Sequence, residues 1–122
     1  MRLAKKVAVV TGGGAGIGRA IAKEFAREGA SVIVADIHAG SAKETAELIK
    51  AEGGTAVAVR TDVSDPESVR GLVDEALRHY QAVHILMNNA AIQVNKWIEE
   101  TTFEEWNRQM AVNVGGVFLC SK

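Results

Sequence analysis

A glycine-rich loop between an apolar run and a helical pattern constrains the fold of this chain most strongly. The apolar run covers residues 7–10, and the loop at residues 12–18 holds five glycines in seven positions. A strand that enters a helix through such a loop leaves the first N–H groups of the helix unpaired, at the positive end of the helix dipole. Because those groups attract phosphate, the segment predicts a strand, a phosphate-binding loop and a helix.

Three of these glycines have separate predicted tasks. Gly12 gives the sharp turn off the strand, Gly16 allows a diphosphate to approach closely, and Gly18 allows the helix to pack tightly on the strand. The common dinucleotide fingerprint G-x-G-x-x-G fits no register of the loop. By itself the loop is also compatible with a glycine-rich turn that binds nothing. Residues at the ends of the other strands are needed to distinguish the two interpretations.

Apolar runs and amphipathic stretches alternate along the rest of the chain. Strands are predicted at residues 6–11, 31–36, 55–61 and 84–89, and helices at about 16–28, 41–51 and 64–80, with a fourth from about 102. Gly29 should end the first helix, while Ser64 and Thr102 should open the third and fourth with capping boxes. The residues expected on inward helix faces are Ile17, Ile21, Ala22 and Phe25, then Ala42, Ala46, Leu48 and Ile49.

The order βαβαβαβα predicts an α/β fold of the Rossmann type. Right-handed crossovers require a doubly wound parallel sheet with helices on both faces and, for these four strands, the order 3-2-1-4. No linker, internal repeat or low-complexity tract divides the sequence, so residues 1–122 are predicted to form one domain or part of one.

Composition excludes several other classes of protein. The 122 residues are 48% hydrophobic and 24% charged, which suits a folded domain with its own core. A net charge of -1, from 14 basic and 15 acidic residues, provides no field for nucleic acid or an anionic membrane. The single cysteine, Cys120, predicts a buried thiol in the reducing cytoplasm. His38, His79 and His84 lack metal-ligand spacing, so no metal site is predicted.

Ligands of such sheets bind beyond the carboxyl ends of the strands. Asp36 ends the second strand, 18 residues after Gly18, where its carboxylate can accept hydrogen bonds from an adenosine ribose. It would repel a 2′-phosphate, and Arg19 is expected to face away, so NAD is predicted in preference to NADP. The alternative is an aspartate that only caps the next loop.

Polar residues also end the third and fourth strands. Asp62 either faces the ligand or holds the turn before the third helix, and the residues favour neither interpretation. Asn88 and Asn89 provide two amides that are expected to be buried and to tie neighbouring strand ends together.

Together these strand ends resemble the short-chain dehydrogenase/reductase family over the whole chain. The matching motifs are T-G-x-x-x-G-x-G at residues 11–18, Asp36, Asp62-Val63 and Asn88-Asn89-Ala90-Ala91. The resemblance implies a nicotinamide cofactor bound by Gly12, Gly14, Gly16, Ile17, Gly18 and Asp36. It places adenine beside Asp62 and Val63, and ribose beside the backbone of Asn89, Ala90 and Ala91. Ala91 stands where the family has glycine, so its methyl group narrows the channel or requires a negative φ.

Asn113 matches the catalytic asparagine of that family. The resemblance implies that it lies at a helix distortion and helps to hold a water in a proton relay. An asparagine beside two glycines also explains a broken helix without any catalytic role.

The proton-transfer residues of the family, a serine and Y-x-x-x-K, have no match in these residues. Tyr80 precedes the fourth strand, at the far end of the sheet, and Ser121 lies in the fourth helix, so neither is suitable. We therefore expect the cofactor-binding half of an NAD-dependent alcohol or ketone oxidoreductase, incomplete relative to the family and inactive alone. Whether it continues past Lys122 or pairs with a second chain is left open. A non-catalytic NAD-binding module and, ranked lower, an S-adenosylmethionine methyltransferase are the alternatives.

Apolar surface predicts self-association. The fourth strand would expose an apolar edge, and the fourth helix carries Phe103, Trp106 and Met110 on one stripe, followed by an almost wholly apolar segment. Trp97 and Trp106 are expected to pack in the core or an interface. A homo-oligomer that forms through this helix and the edge strand is predicted.

Overall fold

The computed structural model describes residues 2–91 and 100–121 of the chain. Strands and helices alternate in the order β1 (Val7–Thr11), α1 (Gly16–Arg27), β2 (Ser31–Asp36), α2 (Ala39–Ala51), β3 (Thr55–Arg60), α3 (Pro66–Tyr80) and β4 (Ile85–Met87). They are followed by α4 (Phe103–Met110), a π-helical turn (Ala111–Gly115) and α5 (Gly116–Ser121). The predictions for Trp97 and Lys122 concern positions outside the described residues.

The four strands form one parallel sheet in the order β3-β2-β1-β4. Val9 at the centre of β1 pairs with Ile33 of β2 on one side and Leu86 of β4 on the other. The Rossmann-type α/β fold and the 3-2-1-4 order are therefore confirmed. β4 is shorter than the predicted 84–89, because the Asn89 N–H donates to the Thr11 hydroxyl rather than to a strand carbonyl.

Helices cover the sheet on both faces. Val10 and Val34 face α1 and α2, whereas Val9 and Ile33 face Leu72 of α3. Successive side chains of a strand point to opposite faces, and both faces are buried here, so residues 7–10 of β1 and 32–35 of β2 are all apolar. No helix within residues 2–91 and 100–121 is long and apolar enough to cross a membrane.

Two helix positions differ from their predicted burial. Leu48 is 37% exposed, and the buried position of that face is Thr45, whose hydroxyl accepts a hydrogen bond from Arg19. Ile17 is 74% exposed because it lies in the first turn of α1, next to the glycine loop. Gly29 follows α1 with a φ of +97°, as predicted for its end.

The helix caps agree with the sequence at α4 and differ at α3. Thr102 Oγ1 accepts from the Glu105 N–H at 3.1 Å while Glu105 Oε1 accepts from the Thr102 N–H at 3.3 Å, which is the predicted capping box. The cap of α3 is Asp65 instead of Ser64, and its Oδ1 accepts from the Glu67 N–H at 3.1 Å. Proline in the first turn moves the cap to the residue immediately before it.

Candidate functional site

The carboxyl ends of the four strands border one cleft of about 330 Å³. This volume falls within the range of about 300–1,000 Å³ that is typical of small-molecule sites. The cleft is lined by part of the predicted cofactor set, namely Gly12, Asp36, Asp62, Val63, Asn89, Ala90 and Ala91. The topology therefore brings together residues that are up to 79 positions apart in sequence.

The glycine loop fits closely under the end of β4. Gly12 has a φ of +66°, and a Cβ on it would lie 3.0 Å from both Ala90 Cα and Asn89 Nδ2. A Cβ on Gly18 would collide with the carbonyl oxygen of Gly12, so α1 rests directly on the loop. Gly16 has a φ of +55° and open space where a Cβ would stand, which leaves room for a ligand at that point.

The N-terminus of α1 carries no side-chain cap and no acidic residue in its first turn. Asp65 and Thr102 cap α3 and α4, whereas α2, like α1, has no side-chain cap. The positive end of the α1 dipole therefore lacks an anionic side chain of its own, beside the open space at Gly16. The loop and helix together fit a diphosphate.

Asp36 is bonded to both the loop and the turn that follows β2. Its Oδ2 accepts from the Gly14 N–H at 2.9 Å and its Oδ1 accepts from the His38 N–H at 3.0 Å. Asp36 thus performs the loop-capping role that was considered as an alternative. A carboxylate has about four acceptor positions, so two contacts leave capacity for the hydroxyls of a ligand.

Arg19 does not face away from the loop, contrary to the prediction. Its Nη2 donates to the Gly14 carbonyl at 2.7 Å and its Nε donates to Thr45 Oγ1 at 2.9 Å. Its Nη1 lies 3.4 Å from Glu44 Oε1. Helical periodicity predicts only the direction of the Cβ atom, whereas the long side chain of Arg19 crosses from α1 to α2.

Thr11 joins the ends of β1 and β4. Its buried hydroxyl accepts from the N–H groups of Asn89 and Ala90, both at 3.0 Å, and donates to the Met87 carbonyl at 3.3 Å. The loop motif contains Thr11 but does not by itself predict this role. A hydroxyl residue at the last position of a strand was the available signal.

Asn89 makes the predicted tie between strand ends, since its Nδ2 donates to the Gly12 carbonyl at 3.3 Å. The prediction of two buried amides is wrong in degree, because Asn88 and Asn89 are both half-buried. Asn88 Nδ2 donates to Ser121 Oγ at 3.2 Å, near the end of α5.

Asp62 holds the turn before α3 and also lines the cleft, so the turn role is observed and the role towards a ligand stays a prediction. Its Oδ1 accepts from the Ser64 hydroxyl at 2.6 Å and from the Ser64 N–H at 3.0 Å. The Ser64 hydroxyl is the main cause that holds the pKa of Asp62 below its ordinary value, and the positive charges of Arg60 and Arg108 add to it.

The helix after residue 100 contributes a wall of the cleft that the sequence analysis did not identify, formed by Arg108 and Val112. Asn113 lies in the π-helical turn and therefore at a helix distortion, next to Val112. The chain packs closely at this point, because a Cβ on Gly116 would lie 2.6 Å from Val63 Cγ2. No local sequence pattern links this helix to the ends of β2 and β3.

Other candidate residues lie away from the cleft. Tyr80 ends α3 and packs on the core cluster around Val9 and Ile33, and burial raises the pKa of its hydroxyl. Cys120 is half-buried rather than buried, and burial raises the pKa of its thiol. Within residues 2–91 and 100–121, no three histidine, cysteine or acidic side chains form a group that could hold a metal ion.

Comparisons with known proteins agree with this geometry. A family model described as short chain dehydrogenase matches residues 6–122. An uncharacterized oxidoreductase of Thermotoga maritima is 44% identical over 117 residues, which cover 96% of this chain and 46% of that protein. A relative in Lentilactobacillus kefiri, named as an NADP-dependent (R)-specific alcohol dehydrogenase, is 44% identical over 97% of this chain and 46% of its own length.

A solved structure described as a hydroxysteroid dehydrogenase from Escherichia coli superposes with a TM-score of 0.94 at 38% identity. The match covers 98% of this chain and 51% of that one. The chain thus spans about half the length of the curated relatives it matches.

Proposed function

Because the chain belongs to the short chain dehydrogenase family, we propose that it forms the cofactor-binding half of an NAD-dependent oxidoreductase that acts on an alcohol or carbonyl compound. The cleft at the carboxyl ends of β1 to β4 carries this proposal, because it combines an uncapped helix N-terminus with an acidic strand end. A nicotinamide cofactor bound there would supply the acceptor or donor of a hydride.

The cofactor would extend from the glycine loop across the strand ends. Its diphosphate would lie against Gly12, Gly14, Gly16, Ile17 and Gly18, where the loop leaves open space at Gly16. The adenosine ribose would bind to Asp36, and adenine would lie beside Asp62 and Val63. The backbone of Asn89, Ala90 and Ala91 would contact the second ribose. All three strand-end sets line the same cleft.

The preference for NAD rests on the charge of Asp36. A 2′-phosphate at its carboxylate would place two negative charges together, whereas ribose hydroxyls could donate to it. Arg19 of α1, whose guanidinium reaches the loop, donates to the Gly14 carbonyl and Thr45 and forms an ion pair with Glu44. Because one relative is named as NADP-dependent, family membership leaves this choice to the residues of the chain itself.

Asn113 is the proposed catalytic residue within the chain. The π-helical turn interrupts the regular hydrogen bonding of the helix at this residue, which supports a role in holding a water of the proton relay. Without the serine and the Y-x-x-x-K pattern, residues 1–122 are expected to bind cofactor and not to turn over substrate alone.

A non-catalytic NAD-binding module is the second candidate. Tyr80, the last residue of α3, packs on the core cluster around Val9 and Ile33 and does not line the cleft, so it provides no proton-transfer group there. The family match removes the methyltransferase alternative. Because residues 1–122 are expected to be inactive alone under both candidates, the assay adds the remaining half of the Thermotoga maritima relative as a second chain, with NAD and a panel of secondary alcohols. Hydride transfer by the mixture would support the oxidoreductase, and cofactor binding without transfer would support the binding module.

Self-association and a cytoplasmic location complete the proposal. The exposed side chains of Phe103, Trp106 and Met110 form an apolar stripe on α4, which supports association between copies. The unpaired thiol of Cys120 supports a reducing compartment.

Calorimetric titration of the protein with NAD and with NADP tests the cofactor assignment. We expect NAD to bind more tightly, and Asp36→Asn to shift the affinity ratio towards NADP by about tenfold or more, equivalent to about 1.4 kcal/mol. Asparagine keeps one oxygen for the Gly14 N–H and loses the acceptor for the His38 N–H, so this variant removes the charge and retains the contact with the loop.

Asp65→Asn provides the matched control, because asparagine also caps helices and Asp65 does not line the cleft. Its affinity ratio should equal that of the unsubstituted protein. Failure of the unsubstituted protein to bind either cofactor would contradict the proposed function. An unchanged ratio in Asp36→Asn would contradict the role of Asp36 alone.

A further inference from the structure

We propose that Arg19 is a positioning residue of the cofactor site, which fixes the peptide of Gly14 and, through it, the Asp36 carboxylate that selects NAD. This inference rests on the proposed function for its effect on affinity. Its structural part, the restraint of the glycine loop by Arg19, stands on contacts within the chain.

The peptide groups of Gly14 are bonded on both sides. Asp36 Oδ2 accepts its N–H at 2.9 Å, and Arg19 Nη2 donates to its carbonyl oxygen at 2.7 Å. Both bonds involve a charged group, and charge-assisted hydrogen bonds are shorter and stronger than neutral ones. Gly14 is therefore held between an anion from β2 and a cation from α1.

Arg19 is itself anchored in α2. Its Nε donates at 2.9 Å to the hydroxyl of Thr45, which is buried, and its Nη1 lies 3.4 Å from Glu44 Oε1. Different N–H groups of the same planar guanidinium therefore bind the glycine loop and α2. A lysine ammonium is a compact charge on a flexible stem and could not reproduce this set of directions.

The packing around Gly14 transmits this restraint to Asp36. A Cβ at Gly14 would lie 2.8 Å from both Asp36 Oδ2 and Ser41 Cβ, so the loop fits against the carboxylate with no spare space. The carbonyl and the N–H of Gly14 belong to successive peptide groups that meet at its Cα, so a shift of the carbonyl would displace the N–H and lengthen its bond to Asp36 Oδ2. The carboxylate would then retain its contact with the His38 N–H and could turn about that contact. Arg19 thereby influences the group that meets the ribose without a requirement to touch the cofactor.

The experiment compares Arg19→Lys with Arg27→Lys. Arg27 lies on the same helix and also links α1 to α2, through a 3.1 Å contact with Glu52, but it is remote from the loop. Both variants replace arginine by lysine and weaken contacts between α1 and the α2 region. Only Arg19→Lys also removes a hydrogen bond to the Gly14 carbonyl.

Two measurements are made on each variant. Hydrogen exchange of the loop amides at residues 12–16, recorded without cofactor, should be faster in Arg19→Lys and unchanged in Arg27→Lys. In calorimetry the Kd for NAD should rise about tenfold in Arg19→Lys, as expected for the loss of one charge-assisted hydrogen bond, while the Kd for NADP changes less. Arg27→Lys should retain both affinities.

A second pair of variants covers the case in which Arg19→Lys folds poorly. Thr45→Val removes the buried acceptor of Arg19 and should reproduce the faster loop exchange. Thr45→Ser retains the hydroxyl, so its loop amides should exchange as slowly as those of the unsubstituted protein. Equal loop exchange and equal cofactor affinities across both pairs would overturn the inference. If the unsubstituted protein binds neither cofactor, the proposed function and the role in selectivity fail, and the exchange rates still decide whether Arg19 restrains the loop.

Discussion

At the scale of single residues, the groups at the cleft serve the fold and the site at the same time. Asp36 holds Gly14 and the turn at His38 while it lines the cleft. Asp62 holds the turn at Ser64 and lines the same cleft. A polar group at the end of a buried strand needs partners, and the turn that follows supplies them before any ligand binds. Substitution of such a residue therefore changes both stability and binding.

Gly18→Ala is expected to destabilise the protein and weaken cofactor binding. The added methyl group would collide with the Gly12 carbonyl, and overpacking of this kind costs about 1–3 kcal/mol. Chemical denaturation would measure the change in the free energy of unfolding.

Gly71→Ala is the matched control, because a Cβ at this position in α3 meets nothing within 4 Å. Alanine favours helix over glycine by about 1 kcal/mol, so this variant should be more stable than the unsubstituted protein. Equal effects of the two substitutions would show that α1 can move away from the loop.

At the scale of elements, the helices differ in whether a side chain caps their first N–H groups. α3 and α4 begin with side-chain caps, whereas α1 and α2 begin without one, and the start of α1 has the open space at Gly16 beside it. A cap and a bound anion satisfy the same N–H groups, so an uncapped start is compatible with ligand binding. The π-helical turn is a second departure from regular helix at the cleft, because it contains Val112, which lines the cleft.

Asp65→Ala should lower the free energy of unfolding by about 1 kcal/mol, the usual cost of removing an N-cap. Ser64→Ala should leave the cap of α3 intact and instead raise the pKa of Asp62, because it removes the hydroxyl that donates to that carboxylate. Denaturation measures the first effect, and NMR titration of the Asp62 carboxyl measures the second. A larger stability loss in Ser64→Ala than in Asp65→Ala would contradict the assignment of Asp65 as the cap.

At the scale of the whole molecule, apolar surface is concentrated on the helix after residue 100. Phe103, Trp106, Met110 and Val114 are exposed at spacings of three or four residues, which places them along one side of the helix. β4 lies at one end of the sheet order, so it is an edge strand of the sheet as described. Surface of this kind is typical of association sites.

Trp106→Glu should weaken self-association, because it places a charge in the centre of this apolar stripe. Light scattering over a range of protein concentrations would show a lower average mass than for the unsubstituted protein. Leu48→Glu, a similar change at a partly exposed position of α2, should leave the mass unchanged. A mass for the unsubstituted protein that corresponds to a monomer at every concentration would contradict the predicted association.

Local chemistry in the sequence was sufficient to predict the elements and their order. Gly29, Thr102 and the apolar runs at β1 and β2 act within a few residues of themselves, so their effects follow from helix and strand periodicity. The 3-2-1-4 order also followed, because crossover handedness leaves few arrangements for four alternating strands.

Tertiary structure alone decided which groups from distant elements meet. The contact of Arg19 with Gly14 and Thr45 depends on the separation of α1 and α2, and the walls formed by Arg108 and Val112 depend on where α4 returns to the sheet. Neither the separation of α1 from α2 nor the position of α4 against the sheet follows from a short sequence pattern. Periodicity specifies which way a side chain points, whereas the distance between packed helices depends on all the side chains between them. The sequence thus determined the fold and which strand ends lie together at the cleft, and the packing of helices determined the shape of the cleft around them.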